Sequence, residues 1–177
     1  MRRRLALALM ISTTIAAEAR EATVRPPSGW AAWCRTAGSD CDGGSARAMI
    51  RRTSPEWALV RRVNRRVNAA VTPMTDLAQF GRVEVWTLPE SGAGDCEDFA
   101  LAKRAALIAA GVPRGALSIA VADDPIDGGH AVLLVRTDRG DYVLDNRTDR
   151  ILPAAASGYA FRKRQGKGSS WVIFESP

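Results

Sequence analysis

Cys96, His130 and Asp145 supply a thiol, an imidazole and a carboxylate, three groups that together can open an amide. A thiol attacks as its anion, so its pKa must fall, and a neighbouring imidazolium or a helix N-terminus favours that anion. The imidazole then hands its proton to the leaving amine as general acid. A carboxylate on the far ring nitrogen fixes the tautomer and the orientation. The backbone N–H of Cys96, if it opens a helix, can face the developing oxyanion. Each residue also has an ordinary reading. A lone cysteine is commonly a small buried hydrophobe, a lone histidine beside a strand is commonly structural, and Asp145-Asn146 could be a turn. Jointly they point to one site, because the chain's single histidine and its spare cysteine fall at a strand edge and a helix start.

The spare cysteine follows from counting. There are three cysteines, Cys34, Cys41 and Cys96, and three ways to pair two of them. Cys34 and Cys41 are close in sequence within a Gly/Ser/Asp-rich stretch, which favours that pair as a disulfide in an oxidising compartment. Cys96 is then left free. A free thiol in such a compartment is open to oxidation, so its presence asks for a reason, and catalysis is one.

Three negative charges work against a thiolate here. Asp95, Glu97 and Asp98 surround Cys96, and like charges raise a thiol's pKa. Either these carboxylates cap the helix and offset its dipole, or a bound cation neutralises them. Oxygen ligands of this kind suit calcium, although the segment is no EF-hand loop.

The elements that must position these groups can be read from the pattern. Ser54-Pro55-Glu56 is a helix start, with Ser at the cap and Pro in the first turn. Trp57, Val60, Val63, Val67 and Val71 then recur at helical spacing, and Thr72-Pro73 ends the helix. Residues 74 to 95 read as irregular, with a short strand over Val83 to Trp86. Asp95-Cys96-Glu97-Asp98 opens a second helix whose packed side carries Phe99, Ala102, Ala106 and Ala110, with Leu101, Ala105 and Ile108 beside it. Gly111 stops it and Pro113 follows. Leu117 to Val121 reads as a strand. The unbroken apolar run Ala131 to Val135 reads as a central strand, and Thr137-Asp138-Arg139-Gly140 as a hairpin turn. Tyr142 to Asp145 is its partner, and Trp171 to Phe174 a last strand. Helices followed by antiparallel strands give an α+β class, with the N-terminal helices packed on an antiparallel sheet. The hairpin brings His130 and Asp145 toward one edge of that sheet.

The ends and the charge set the context. Met1-Arg2-Arg3-Arg4 is basic, Leu5 to Ala17 is apolar, and Ala17-Glu18-Ala19 is a small-x-small site. Together they predict a signal peptide over residues 1–19, export to the periplasm, and a mature domain over 20–177. The alternative, an uncleaved anchor, is disfavoured, since thirteen helical residues rise about 20 Å against a hydrocarbon core of about 30 Å. No second apolar run is long enough to span a membrane. The whole chain carries a net charge of +6. Arg61, Arg62, Arg65 and Arg66 form one basic patch and Arg162-Lys163-Arg164 another. These read as a solvated helix face and a charged loop, with no nucleic-acid motif.

The segment Gly94-Asp95-Cys96-Glu97-Asp98-Phe99-Ala100 resembles the active-site motif of the bacterial transglutaminase-like cysteine proteinases. Val63-Asn64-Arg65-Arg66-Val67-Asn68 with Asp76-Leu77 is similar to the helix preceding it. Trp86, Pro89 and Glu90 resemble the approach to the nucleophile. His130-Ala131-Val132-Leu133 and Val143-Leu144-Asp145-Asn146 resemble the His and Asp motifs, and Trp33-Cys34 with Cys41 the N-terminal cysteine pair. The likeness runs from about residue 30 to the end. It implies a papain-like, transglutaminase-like core and a Cys96, His130, Asp145 triad. It also implies a calcium dependence, with Asp95 and Glu97 as metal ligands. The member type best known is a periplasmic protease that cuts a large surface adhesin near its N-terminus and so releases biofilm. The resemblance therefore implies a protein substrate, with an adhesin as one form of it and an inner-membrane receptor as regulator. The same triad would serve a transglutaminase or a cell-wall amidase, and an inherited fold could persist as a non-catalytic calcium-binding adaptor. The acidic, glycine-rich stretch Asp123 to Gly129 before His130 could alter substrate choice or add metal ligands.

Overall fold

A computed structural model describes residues 21–44, 48–125 and 128–174; the expected signal peptide lies outside them. In chain order the elements are β1 (Thr23–Val24), α1 (Ser28–Trp33), α2 (Pro55–Ala70), β2 (Thr72–Pro73), α3 (Asp76–Phe80), β3 (Ala93–Gly94) and α4 (Cys96–Ala109). There follow β4 (Leu117–Asp124), β5 (Gly128–Thr137), β6 (Gly140–Leu144), β7 (Leu152–Pro153), β8 (Ala160–Gln165) and β9 (Trp171–Ile173). Seven strands form one antiparallel sheet in the order β1-β9-β8-β4-β5-β6-β7. The class is α+β, as expected. No helix among the described residues is long and apolar enough to cross a membrane.

The apolar stripe of α2 makes the helix side of the core. Trp57, Val60, Val63 and Val67 are buried, and they share one cluster with Phe99, Leu101 and Leu107 of α4 and Leu133, Val135 and Leu144 of the sheet. On the opposite sheet face Val132, Leu134 and Val143 pack with Ala154 and Phe174. β5 is thus covered on both faces, which is why it reads as a continuous apolar run. The hairpin pairs Leu133 with Leu144 and closes at Thr137–Gly140.

β2 and β3 form a small parallel pair, Thr72 beside Ala93 and Pro73 beside Gly94. The Thr72 N–H donates to the Gly92 carbonyl (2.8 Å) and the Met74 N–H to the Gly94 carbonyl (2.9 Å). The end of α2 is therefore tied directly to the residues before α4.

Three expectations are corrected. Val83 to Trp86 forms no strand. Glu84 has φ +60°, and the Val85 and Thr87 N–H groups donate to the Asp76 and Asp98 carboxylates at 2.5 and 2.9 Å. Buried carboxylates take the donors that a ladder would have used. The buried side of α4 carries Phe99, Ala100, Lys103, Arg104 and Leu107. Ala102, Ala106 and Ile108 are only partly buried and Ala110 is exposed. Finally, Arg162-Lys163-Arg164 lies in β8, between β4 and β9, and is no loop. Its charges have partners: Arg164 pairs with Glu21 at 2.5 Å and Asp141 at 3.4 Å, and Arg162 pairs with Asp123.

Candidate active site

Asp95 is the extended residue before α4, and its side chain makes no cap bond, so the first-turn N–H groups have no acceptor from it. The residue before it must be small. A Cβ on Gly94 would lie 2.6 Å from Asp98 Oδ2 and 2.7 Å from its Cβ. Cys96 opens the helix, and its Sγ accepts the Ala131 N–H (3.4 Å) and donates to Glu97 Oε2 (3.1 Å). The thiol therefore sits at the mouth of β5, against the residue that follows His130. Burial, and next the Glu97 charge, push its pKa up.

The acidic residues form a larger cluster than the sequence indicated. Ligand oxygens of Asp76, Asp95 and Asp98 lie within 4.8 Å of one another, and Asp95 and Glu97 group likewise with the Cys96 sulfur. Asp76 and Asp98 are buried. One oxygen on each of Asp76, Asp95 and Asp98 is buried without a hydrogen-bond partner. Burial, reinforced by Asp95, raises Glu97 to about 8. Burial also raises Asp98 to about 7 and moves Asp95 in the same direction. The close-set oxygens of Asp76, Asp95 and Asp98, each residue left with one buried oxygen that has no hydrogen-bond partner, match the hard donors that a cation such as calcium requires.

The base side is built differently. Side chains alternate along a strand, so His130 and Asp145 project from the sheet face opposite Ala131 and Leu144. β6 ends at Leu144, and Asp145 turns in so that its Oδ1 meets His130 Nε2 at 3.0 Å, with both residues buried. Nδ1 is then the ring nitrogen that Asp145 does not engage. The Arg147 N–H donates to Asp145 Oδ1 (3.1 Å), and the Tyr159 hydroxyl donates to Oδ2. Burial alone would raise this carboxyl, but His130, Tyr159 and the Arg147 N–H hold it down at about 2.

The Asp145 backbone is held as firmly as its side chain. The fully buried Lys103 ammonium donates to the Asp145 carbonyl at 2.8 Å. Asn68 donates to the same carbonyl (3.1 Å) and to Asp149 Oδ1 (2.9 Å), and Asn64 to the Asp149 carbonyl (3.3 Å). Asn64 and Asn68 are four apart on α2 and so share a face. Burial lowers Lys103 to about 7, with Asp145 and Asp149 opposing.

Sequence reasoning placed Cys96, His130, Asp145, Asp95 and Glu97 in this region, and they are here. It had Asp98 in the acidic cluster but missed Asp76 there, and it missed Lys103 and Tyr159 as partners of Asp145. Asn64 and Asn68 carried a signal, polar residues at helical spacing inside an apolar stripe. Tyr159 carried none. Cys34 and Cys41 are both free thiols, so the expected disulfide is not formed here. They are nevertheless neighbours, the Cys41 thiol donating to the Cys34 carbonyl at 4.0 Å.

A family model described as the bacterial transglutaminase-like cysteine proteinases matches residues 20–177. Among solved structures the chain is similar to calcium-bound LapG of Legionella pneumophila. The identity is 27% and the TM-score 0.58, covering 70% of this chain and 74% of that one. A second structure of the same protein gives 26% and 0.59, over 68% and 70% of the two chains. Its EGTA-treated form gives 25% and 0.58, over 70% of each. No curated protein matches significantly.

Proposed function

The chain belongs to the bacterial transglutaminase-like cysteine proteinases, a family of cysteine peptidases, and from that premise we propose that it cuts a protein substrate with Cys96 as nucleophile, His130 as base and acid, and Asp145 as the orienting carboxylate. One observation carries the assignment. A buried His130–Asp145 pair at 3.0 Å lies one residue from the backbone N–H that touches the Cys96 sulfur. His130 Nδ1 takes the Sγ proton, and the sulfur adds to the scissile carbonyl carbon. Negative charge gathers on the carbonyl oxygen, facing the N–H groups at the start of α4. The C–N bond breaks as Nδ1 returns the proton to the leaving amine. A water molecule, deprotonated by the same nitrogen, then opens the thioester, and the thiol is restored as the acid departs. Asp145 remains ionised and holds the tautomer throughout.

Asp95 and Glu97 would hold calcium, with the unpartnered oxygens of Asp76 and Asp98 close enough to share in it. Bound there, the ion offsets the carboxylate charge that opposes a thiolate. The donor chemistry supports this, as does the similarity to a LapG structure that is itself calcium-bound.

The finer reading is an exported, periplasmic enzyme whose substrate is a large surface adhesin and whose access is governed by an inner-membrane receptor. In that compartment the neighbouring Cys34 and Cys41 close as a disulfide and leave Cys96 as the reactive thiol. A thiol-directed probe offered at neutral pH tests the core of the reading. Cys96 labels rapidly in the native protein, and His130→Ala labels far more slowly. Equal rates would remove the basis for an activated nucleophile.

A further inference from the structure

Tyr159 lies outside every motif quoted above. It follows Gly158 (φ +82°) in the turn between Ala154–Ala156 and β8. Its hydroxyl donates to Asp145 Oδ2, the oxygen that His130 does not use. Its ring lies 5.2 Å from the imidazole at 44°. The ring is itself braced, edge-on to Phe161 at 6.2 Å, and Phe161 stacks on Phe174 at 4.6 Å. Phe174 belongs to the core of that sheet face.

A carboxylate with one oxygen bound can rotate about its Cβ–Cγ bond. One with both oxygens bound cannot do so without breaking a charge-assisted hydrogen bond. Oδ1 is held by His130 and the Arg147 N–H, and Oδ2 by Tyr159. The Lys103 and Asn68 contacts fix the carbonyl of the same residue. They set where Asp145 stands but leave the rotation of its carboxylate free. Of these contacts, Tyr159 alone reaches Oδ2. The same ring, 5.2 Å from the imidazole, limits its tilt.

We infer that Tyr159 is a positioning residue for the proteolytic reaction, locking the Asp145 carboxylate in the plane that presents Oδ1 to His130 and bracing the imidazole behind it. This rests on the peptidase reading above. It acts through Asp145, and that separates it from a residue that merely supports the fold.

Tyr159→Phe removes the hydroxyl and keeps the ring. Its kcat on a protein substrate should fall about tenfold, the size of one lost hydrogen bond to a charged group, while KM stays within twofold. The alkylation rate of Cys96 by iodoacetamide should fall in step. In an Asp145→Asn background the same change should cost less than twofold, because the group it positions has already lost its charge. Tyr159→Leu should cost more than Tyr159→Phe, since the brace goes too. Full independence of the two changes, or a native alkylation rate in Tyr159→Phe, overturns the inference alone. If native protein and His130→Ala alkylate equally, the peptidase reading falls and takes this inference with it.

Discussion

The two halves of the site use the same residue type in opposite ways. Asp145 is a buried aspartate with partners on both oxygens and on its carbonyl, and its carboxyl is held down at about 2. Asp98 is equally inaccessible, yet one of its oxygens has no partner and burial raises it to about 7. Both lose their water on folding, and the donors that replace it decide which stays charged. The base half is complete on its own. The nucleophile half sets Asp95 and Glu97 beside the thiol and Asp76 and Asp98 beside Asp95, with too few donors among them, and a divalent cation would complete it.

That contrast can be broken most sharply at the base half. His130→Ala should lower peptide hydrolysis about 10³-fold or more without lowering thermal stability by a comparable amount, as triad deletions do. A loss below tenfold, measured as kcat/KM, would mean that the completed half is not the catalytic one. At the nucleophile half the expected response is to metal. Calcium at a hundredfold excess over its Kd should stabilise the fold by about 2.7 kcal/mol, read as a rise in melting temperature that a chelator reverses. Asp98→Asn should abolish that response and, with chelator present, melt above the unsubstituted protein, because it removes a buried charge that has a donor on one oxygen only. A calcium-independent melting point would mean the acidic cluster is complete without an ion.

Lys103 sharpens the comparison through pH. Its folded pKa is depressed from 10.5 to about 7. Between those values the unfolded chain holds a proton that the folded chain lacks, so this group makes stability rise with pH. Against Lys103→Met, the native protein should gain stability from pH 7 to pH 9 with a slope of up to about 1.4 kcal/mol per unit. Parallel denaturation curves across that window would show Lys103 charged in the fold. Asn68→Ala should have the smallest effect, about 2 kcal/mol for the lost bonds to the Asp145 carbonyl and the Asp149 carboxylate. It should also lower kcat, because the loop it releases carries Asp145.

What could be read from the chain alone follows the range of the forces involved. The α2 start at Ser54-Pro55, the stop at Gly111 (φ +91°) and the hairpin closing at Gly140 rest on neighbours within a few residues, and each appears where expected. The motif around Cys96 was legible for the same reason, down to a glycine whose missing side chain makes room for Asp98. β8 was not legible. Arg164 lies in a strand because Glu21 and Asp141 arrive from distant parts of the chain and its guanidinium lies 5.6 Å from the Phe174 ring. Val83 to Trp86 failed as a strand because Asp76 and Asp98 claim its donors. Lys103 defeated the reading of α4, since a lysine facing inward makes sense only once the Asp145 carbonyl stands before it.

Helix α2 touches both halves without entering either. Through Asn68 it grips the residue that orients the imidazole, and Thr72 and Met74, just past its end, grip the strand that leads into the helix bearing the sulfur. Its last turn works as a caliper, with one jaw on each reacting group and the short span from Asn68 to Met74 setting the gap. Shaving Val63 or Val67 would let the caliper shift in its seat, and the two groups would drift out of reach although neither had been changed.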